Sequence, residues 1–216
     1  MSSPSGSPLP TRRDARRNRD LLLGCARAAF AERGADASLE QIARAAGLAI
    51  GTLYRHFPTR LDLLVAAIEP RMDQLFIDAE AALAEADPWE AFRSYIDLLC
   101  RNQADDRGFS DFTSLRFPNN ERTEAWLNRI CHIAQDVLDR TQQAGVVRMD
   151  ATMTDIFTLL WANARVTEAT GRIAPVVWRR HLHLVLGGFR PGDRNELPEP
   201  PLSAEQLHRA IAQPRE

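Results

Sequence analysis

Residues 38–57, SLEQIARAAGLAIGTLYRHF, contain two short amphipathic helix patterns separated by Gly47, and they constrain the fold more than any other segment. Ser38 stands where the N-cap of the first helix belongs, and Gln41 three residues later completes a capping-box pattern. Gly47 predicts the end of that helix, because glycine adopts a left-handed conformation without a Cβ penalty. Apolar residues at three- and four-residue spacing give the helix one apolar face: Leu39, Ile42, Ala43 and Ala46.

The second pattern begins near Ile50 and has an apolar and a polar side. Leu48, Leu53 and Phe57 form its apolar face. Two helices joined at a steep angle by a short glycine-containing turn form a helix-turn-helix motif, whose second helix enters the DNA major groove. The sequence therefore predicts this motif, with polar groups near or on the nucleic-acid side: Thr52, Tyr54, Arg55 and His56.

The formal charge of -2 conceals an uneven distribution of charge along the chain. Residues 12–60 contain ten Arg against five Asp or Glu, whereas residues 61–216 contain seventeen Arg against twenty-four acids. The surplus of positive charge is therefore confined to the segment that carries the helix-turn-helix pattern. Phosphate binding requires this kind of distribution.

Three motifs extend the match beyond a generic helix-turn-helix. They are Ala-Phe-Ala-Glu-Arg-Gly at 29–34, Ile-Ala-Arg-Ala-Ala-Gly at 42–47 and Tyr-Arg-His-Phe-Pro at 54–58, and a long helix predicted over 13–33 contributes the first of them. In this order and spacing they resemble the DNA-binding head of the TetR-type repressor family. The resemblance is tight over residues 18–68 and is mainly one of helical pattern beyond them.

The rest of the chain also shows helical patterns without convincing strand alternation, so the predicted fold class is all-α. By the resemblance, a three-helix head is joined to a C-terminal helical bundle that serves ligand binding and dimerisation. Thr59 predicts the cap of a long linking helix over 60–86, and Pro70 within it predicts a bend or break near Ile68. Further helices are predicted over 89–103, 109–117, 121–144, 152–170, 175–189 and 203–212.

These patterns predict four parts of the chain. Residues 1–11 form a disordered N-terminal tail, and residues 12–58 form the helix-turn-helix DNA-binding domain, here called the head. Residues 59–190 form the helical ligand-binding and dimerisation domain, here called the body. Residues 191–216 form a proline-rich tail that includes the last short helix.

The resemblance also implies which side chains of the head contact DNA. It carries Tyr54 and His56 onto positions that touch phosphates, and Thr52 onto a position near base edges or backbone. Ala49 and Ile50 depart from the polar or basic residues that the family commonly has there. We expect their methyl groups to contact thymine.

Further DNA contacts follow from residue type and position. Arg44 on the supporting helix is the candidate for a guanine bond, and a phosphate contact is the alternative. Gly51 destabilises a helix by about 1 kcal/mol relative to Ala. A backbone that approaches the duplex closely would explain a glycine at this position. The remaining candidates lie at helix starts or in the basic run at the first helix: Arg16, Arg17, Ser38 and Arg60.

By the same resemblance, part of the body core is hollow and admits a small-molecule effector of unknown identity. Such pockets are mostly apolar and contain a few placed polar groups. Aromatic and polar side chains are interleaved on the body helices, and the candidates for lining the pocket are Tyr95, Phe112, Arg116, Trp126 and Asn163.

The helices predicted over 152–170 and 175–189 are apolar on more than one face, so they need a partner besides their own core. By resemblance that partner is the same pair of helices from a second subunit. The resulting homodimer presents two heads to two half-sites of a double-stranded operator.

Other classes of function are less well supported. His132 and Asp136 are one helical turn apart, but no further nucleophile or carboxylate converges with them in sequence, so we expect no catalytic residue, metal or cofactor. A DNA-binding dimer whose body serves only dimerisation or recruits another protein stays open as an alternative to a ligand-responsive repressor.

The cysteines and the apolar pattern favour a cytoplasmic location. Cys25, Cys100 and Cys131 show no CxxC spacing and are expected to be free thiols in a reducing compartment, with a redox role for any of them left open. No apolar run approaches the ~20 residues of a membrane span, and the N-terminal stretch lacks the apolar segment of a signal peptide.

Overall fold

The computed structural model describes residues 12–114, 121–192 and 197–212, and the regular secondary structure within these ranges is entirely α-helical. This confirms the predicted all-α class, with a helix-turn-helix head followed by a helical body. The described helices are α1 (Arg12–Arg33), α2 (Leu39–Ala45), α3 (Ile50–His56), α4 (Arg60–Leu83), α5 (Pro88–Asp105), α6 (Arg107–Ser114), α7 (Glu121–Gln143), α8 (Met153–Thr170), α9 (Val177–Phe189) and α10 (Ala204–Ala212).

The head consists of α1, α2 and α3 around a small apolar core. Phe30, Ile42 and Leu53 contribute one side chain from each helix to this core, and all three are fully buried. Gly34 follows α1 with a φ of 82°, and Gly47 lies in the turn between α2 and α3 with a φ of 69°. Both glycines therefore occupy the left-handed conformation that the sequence predicts for Gly47.

The N-terminus of α2 is capped at the predicted residue but not in the predicted way. The Ser38 side chain accepts a hydrogen bond from the Gln41 N–H at 3.3 Å. The predicted return bond from the Gln41 side chain is wrong, because that side chain accepts from Arg33 of α1. The Ser38 hydroxyl donates instead to the Glu40 carboxylate at 3.0 Å. A charged guanidinium is a stronger donor than a backbone amide, so Gln41 ties α2 to α1.

The linking helix α4 begins as predicted and runs through its proline. Thr59 and Asp62 form a reciprocal capping box at its start. The predicted break near Ile68 is wrong, since α4 is continuous through Pro70 to Leu83. Proline removes only one backbone hydrogen bond, and the buried side chains of Ile68 and Met72 hold the helix against the core on either side of it.

The body is built around α5, which packs against α4, α6, α7, α8 and α9. The Asp87 side chain caps α5 by accepting from the N–H groups of Trp89 and Glu90 at 2.8 and 3.2 Å. α6 begins two residues before the predicted start because Asp106 accepts from the Phe109 N–H at 2.8 Å. Its predicted end at Phe117 lies outside the described residues.

The buried apolar side chains form one continuous cluster that extends from α1 through the body. It places α6 of the body in direct contact with α1 of the head. Of the helices that the structure describes, none combines the length and the apolar character needed to cross a lipid bilayer.

Candidate nucleic-acid interface and effector cavity

The exposed side of α3 carries the groups that the sequence places there. Leu53 and Phe57 are buried and fix the helix on the head, whereas Tyr54 is 46% exposed. Thr52 and His56 are half-buried, and Gly51 is exposed. A Cβ atom added at Gly51 would meet no atom of the described part of the chain within 4 Å. The face of α3 that points away from the core is therefore open to a large partner.

Arginine side chains surround α3. Arg55 donates to the Thr52 hydroxyl at 3.0 Å, which orients both side chains on the exposed face. The guanidinium of Arg19, on α1, lies over the Phe57 ring at 5.1 Å from its centroid. This cation–π contact brings the basic start of the chain beside the recognition helix. The sequence places Arg55 near or on the nucleic-acid side of α3, but neither its bond to Thr52 nor the contact of Arg19 with Phe57 was predicted.

The other arginines predicted to contact DNA fall into two groups. Arg16, Arg17 and Arg44 are exposed, on α1 and α2. Arg60 has a structural role, because its guanidinium donates to the backbone carbonyls of Ala35 and Ala37 at 2.9 and 2.6 Å. The predicted phosphate contact of Arg60 thus competes with two bonds that fasten the turn after α1 to α4.

The N-terminus of α3 carries the two apolar residues predicted to contact thymine. Ala49 is its extended N-cap residue and provides no side-chain hydrogen bond. Ala49 is exposed and Ile50 is half-buried, so the methyl groups predicted to contact thymine remain accessible. Ser38, by contrast, uses its hydroxyl within α2 as described above.

A small, partly open cavity lies in the body between α4, α5, α6, α7 and α8. Its volume is about 20 Å³, and its walls include Phe109, Ile130, Phe157 and Trp161. A volume of this size holds about one water molecule. Its polar wall consists of Gln103 on α5 and Thr113 on α6, two residues that the sequence analysis did not single out.

The residues predicted to line an effector pocket are near this cavity but not in its wall. Phe112 and Trp126 pack edge to face, with ring centroids 5.9 Å apart. The Tyr95 hydroxyl is buried and donates to the Ile130 carbonyl at 3.5 Å. Asn163 is completely buried and donates to Gln103 at 3.2 Å. Arg116 lies outside the described residues.

The cavity lies beside the contact between head and body. Phe109 and Thr113 belong to α6 and form part of the wall. On another side of α6, Asp111 accepts a hydrogen bond from the Ala35 N–H at 2.9 Å. A Cβ atom added at Gly108 would lie 2.8 Å from the Phe30 Cβ, so the backbone of α6 touches α1. One short helix thus contacts both the cavity and the head.

Two of the three thiols are unfavourable sites for redox chemistry. Burial raises the pKa of the Cys100 thiol, and the nearby negative charge of Asp97 raises it further. Burial also raises the pKa of the Cys131 thiol. Reactive cysteines have lowered pKa values. All three cysteines are free thiols.

In the head, α3 packs on α2 and keeps one side exposed, and the basic head is joined to a helical body. This is the architecture of a helix-turn-helix DNA-binding protein, with α3 as the recognition helix. Comparison with known families agrees. The model of bacterial regulatory proteins of the tetR family matches residues 22–67, and the model of the SbtR-like transcriptional regulator C-terminal domain matches residues 87–191. The chain belongs to the TetR family of bacterial transcriptional regulators, a family of regulators rather than enzymes.

Solved structures and curated relatives support the assignment. A TetR transcriptional regulator from Streptomyces coelicolor is 32% identical, with a TM-score of 0.53, and the match covers 80% of this chain and 98% of that one. A TetR regulator from Mycobacterium vanbaalenii is 30% identical, with a TM-score of 0.51, over 84% of this chain and 100% of that one. An HTH-type transcriptional regulator of Staphylococcus aureus is 34% identical over 49% of this chain, and the match spans 56% of that relative's length.

Proposed function

We propose that this protein is a sequence-specific DNA-binding repressor, active as a homodimer, which a small-molecule effector releases from its operator. The observation that carries the proposal is the open polar face of α3, with Tyr54 exposed and Gly51 leaving the backbone accessible. Helices presented in this way enter the major groove of DNA. The excess of arginine in the head supplies the attraction to phosphates.

The part of the DNA that each side chain is proposed to contact follows from the chemistry of that side chain. Tyr54 and His56 contact phosphates, and Thr52 approaches base edges or backbone. Ala49 and Ile50 offer methyl groups to thymine. The side chains proposed to complete the interface are Arg16, Arg17, Ser38, Arg44 and Arg60, with Gly51 permitting close approach.

Dimerisation through α8 and α9 accounts for their exposed apolar and small residues. Leu184 is 67% exposed on α9, and Ala162 and Gly188 are exposed on α8 and α9. A groove of about 360 Å³ between these helices is lined by residues that include Leu159, Ala162 and Val185. A second copy of the pair would cover this surface and set two heads apart at the spacing of two half-sites.

The proposed route from effector to DNA runs through α6. A molecule that enlarges the cavity by displacing Phe109 or Thr113 would shift α6, which would carry that displacement to Gly108 and Asp111 against the head. Pro70 in α4 is a second candidate for the joint. A coupling of ~1–3 kcal/mol changes operator affinity several-fold to about a hundredfold.

Ligand binding by neighbours in structure supports the effector part of the proposal by analogy. A FadR regulator from Bacillus subtilis was solved in complex with stearoyl-CoA, with 20% identity and a TM-score of 0.59. RolR was solved in complex with resorcinol, with 18% identity and a TM-score of 0.56. At this level of identity the likeness concerns the fold, so the nature of the effector has to be argued from this chain.

One observation favours the alternative, a DNA-binding dimer whose body has no small-molecule inducer. The cavity of about 20 Å³ is far smaller than the several hundred Å³ of ordinary ligand pockets. A thermal-shift screen with metabolites, repeated with operator DNA present, distinguishes the two functions. Stabilisation by a compound that also releases DNA supports the repressor with an effector, and the lack of any stabilising compound supports the alternative.

The test of DNA recognition begins with footprinting on the DNA that flanks the protein's own coding region. Arg44→Ala is then compared with the unchanged protein over many operator variants. A loss confined to operators with guanine at one position indicates base reading, whereas a uniform loss indicates a phosphate contact. Arg93→Ala, an exposed arginine on α5 of the body, is the matched control. Binding no tighter to any promoter fragment than to random DNA at low salt would contradict the proposal.

A further inference from the structure

The cavity in the body has a hydrogen-bonding wall in otherwise apolar surroundings. The Gln103 side chain donates from Nε2 to the Thr113 hydroxyl at 3.2 Å and accepts at Oε1 from Asn163 Nδ2 at 3.2 Å. Asn163 Nδ2 also approaches the Cys100 carbonyl at 3.5 Å. Gln103 and Asn163 are 2% and 0% exposed. Three polar side chains from α5, α6 and α8 thus meet in the core.

This network is short of one hydrogen-bond donor. Asn163 Nδ2 lies within hydrogen-bonding distance of two acceptors, whereas Asn163 Oδ1 is buried and has no partner among the described residues. Reversing the amide would set an oxygen against the Cys100 carbonyl oxygen, so it gains nothing. An unpaired buried acceptor destabilises the fold. The residue therefore fits a role in which a bound molecule supplies the missing donor.

A second buried polar atom lies on the same face of α8. The Thr167 hydroxyl, one turn after Asn163, is buried and has no partner within the described part of the chain. Residues four apart in a helix are neighbours on one face. Asn163 and Thr167 thus leave two unpaired polar oxygen atoms on one face of α8.

The remainder of the cavity restricts the ligand further. The nine described residues that line the cavity are all uncharged. Burying a carboxylate or ammonium group there without a counter-charge would be strongly unfavourable. The aromatic side chains of Phe109, Phe157 and Trp161 in the wall favour a ligand with an apolar ring.

We propose that the effector is an uncharged, mainly apolar molecule that bears a hydroxyl donor, and that its hydroxyl completes the Gln103–Asn163 network. This inference rests on the proposed function and names the chemical class of its ligand. Because the cavity now has room for about one water molecule, the apolar part of the ligand takes its space by moving Phe109 and Thr113. The hydroxyl anchors the ligand on α5 and α8 while its ring displaces α6.

The test uses matched probes with the full-length protein. Phenol, toluene and benzoate share a ring and differ in one group, and 1-naphthol, 1-methylnaphthalene and 1-naphthoate repeat the comparison at larger size. Affinity is measured by titration calorimetry and operator release by fluorescence anisotropy. Specific operator binding by the probe-free protein is measured first and reports on DNA recognition alone.

We expect each hydroxyl probe to bind roughly tenfold or more tightly than its methyl counterpart, because a charge-free buried acceptor gains its partner. The carboxylates should bind weakest. Equal binding of hydroxyl and methyl probes, tighter binding of the carboxylates, or no binding of any probe up to its solubility limit would overturn the inference. Each of these outcomes leaves specific DNA binding standing, so a failure of the effector class is distinct from a failure of DNA recognition.

Substitutions in the Gln103–Asn163 network test whether it causes the preference for hydroxyl probes. The double variant Gln103→Leu with Asn163→Leu should lose the preference for hydroxyl probes while it retains operator binding, which shows that it folds. Thr141→Val is the matched control, since Thr141 is a fully buried threonine whose hydroxyl donates to the Val137 and Leu138 carbonyls away from this network. A preference that survives in the double variant, or disappears in Thr141→Val, would contradict the assignment.

Discussion

The Asp111 carboxylate on α6 accepts a hydrogen bond from the Ala35 N–H, 2.9 Å away in the turn that follows α1. Gly34, the residue before Ala35, has a φ of 82°, and a Cβ atom there would lie 2.1 Å from Asp111 Oδ2. The absence of a side chain at Gly34 is therefore what allows the carboxylate to reach the backbone. This contact joins the body to the head without relying on a flexible side chain of the head.

Replacing Gly34 by Ala should destabilise the protein for two reasons. The left-handed conformation costs an L-residue about 1–2 kcal/mol, and the new methyl group must also displace Asp111. Gly145→Ala is the control, because Gly145 has a φ of 67° but open space around its Cβ position. Urea unfolding of both variants measures the difference. Equal losses of stability would show that the approach of Asp111 contributes nothing.

Replacing Asp111 by Asn should change how stability depends on pH. Burial raises the pKa of Asp111 above its ordinary value of 3.8, although the Ala35 N–H and the Arg107 charge partly oppose the shift. The folded state therefore favours the protonated acid, and the stability associated with it is lost as pH rises through the raised pKa. Asparagine keeps an acceptor for Ala35 and does not titrate.

The pH experiment compares the free energy of unfolding of the two proteins from below pH 3.8 upward. Other titrating groups are common to both proteins and cancel in the difference. Relative to the variant, the unchanged protein should lose stability as pH rises above that value. A constant difference across the range would mean that the pKa of Asp111 is not raised.

Replacing Pro70 by Ala tests the proposed joint in α4. Alanine restores an N–H group and is about 3 kcal/mol more favourable than proline inside a helix, so thermal stability should rise. If the joint transmits the response, effector-induced loss of operator affinity should become smaller. Gln74→Ala, an exposed position on the same helix, is the control for helix propensity. Unchanged induction in Pro70→Ala would remove this residue from the mechanism.

Replacing Gly51 by Gln should separate DNA binding from folding. A Cβ atom at this position meets no atom of the described residues within 4 Å, and replacing glycine improves helix propensity by up to ~1 kcal/mol, so the fold should be retained or stabilised. Operator affinity should fall roughly tenfold or more, because the side chain occupies the space proposed for the duplex. Gly24→Gln on α1, also an open helical glycine, should bind DNA normally. Full affinity in Gly51→Gln would refute close approach of this backbone.

Replacing Gly188 by Gln should convert the proposed dimer into monomers. A Cβ atom at Gly188 meets no atom of the described residues within 4 Å, so the substitution is compatible with the monomer fold. A side chain there would stand in the groove assigned to the second subunit. Light scattering coupled to size-exclusion chromatography measures the change, and Gly24→Gln again provides the control. A variant that stays dimeric would place the subunit contact elsewhere.

Local features of the fold were predictable from the sequence because they depend on neighbours a few residues apart. Ser38, Gly47 and Thr59 mark helix ends through caps and turns that involve adjacent backbone. The continuity of α4 through Pro70 was not predictable in this way. It depends on core packing that outweighs one missing hydrogen bond.

The polar wall of the cavity shows what the sequence could not reveal. Aromatic composition favoured Phe112 and Trp126 as lining residues, but these rings pack on each other. Gln103 is an ordinary polar residue in a helical pattern, and its burial and its bond to Asn163, 60 residues away, emerge only from the packing of α5 against α8. The sequence predicted Asn163 as a lining residue, but it did not reveal that Asn163 Oδ1 is buried without a partner among the described residues.

The two bonds from Arg60 to the carbonyls of Ala35 and Ala37 have a consequence for operator choice. Because these bonds clamp the first turn of α4 onto the head, they oppose rotation of the head relative to α4, and we expect the two to move as one rigid body. In the proposed dimer, an effector would then alter how far apart the two α3 helices stand while leaving the shape of each head unchanged. Promoters would be told apart by the base pairs in each half-site, and the effector would select among them only by the number of base pairs between the halves.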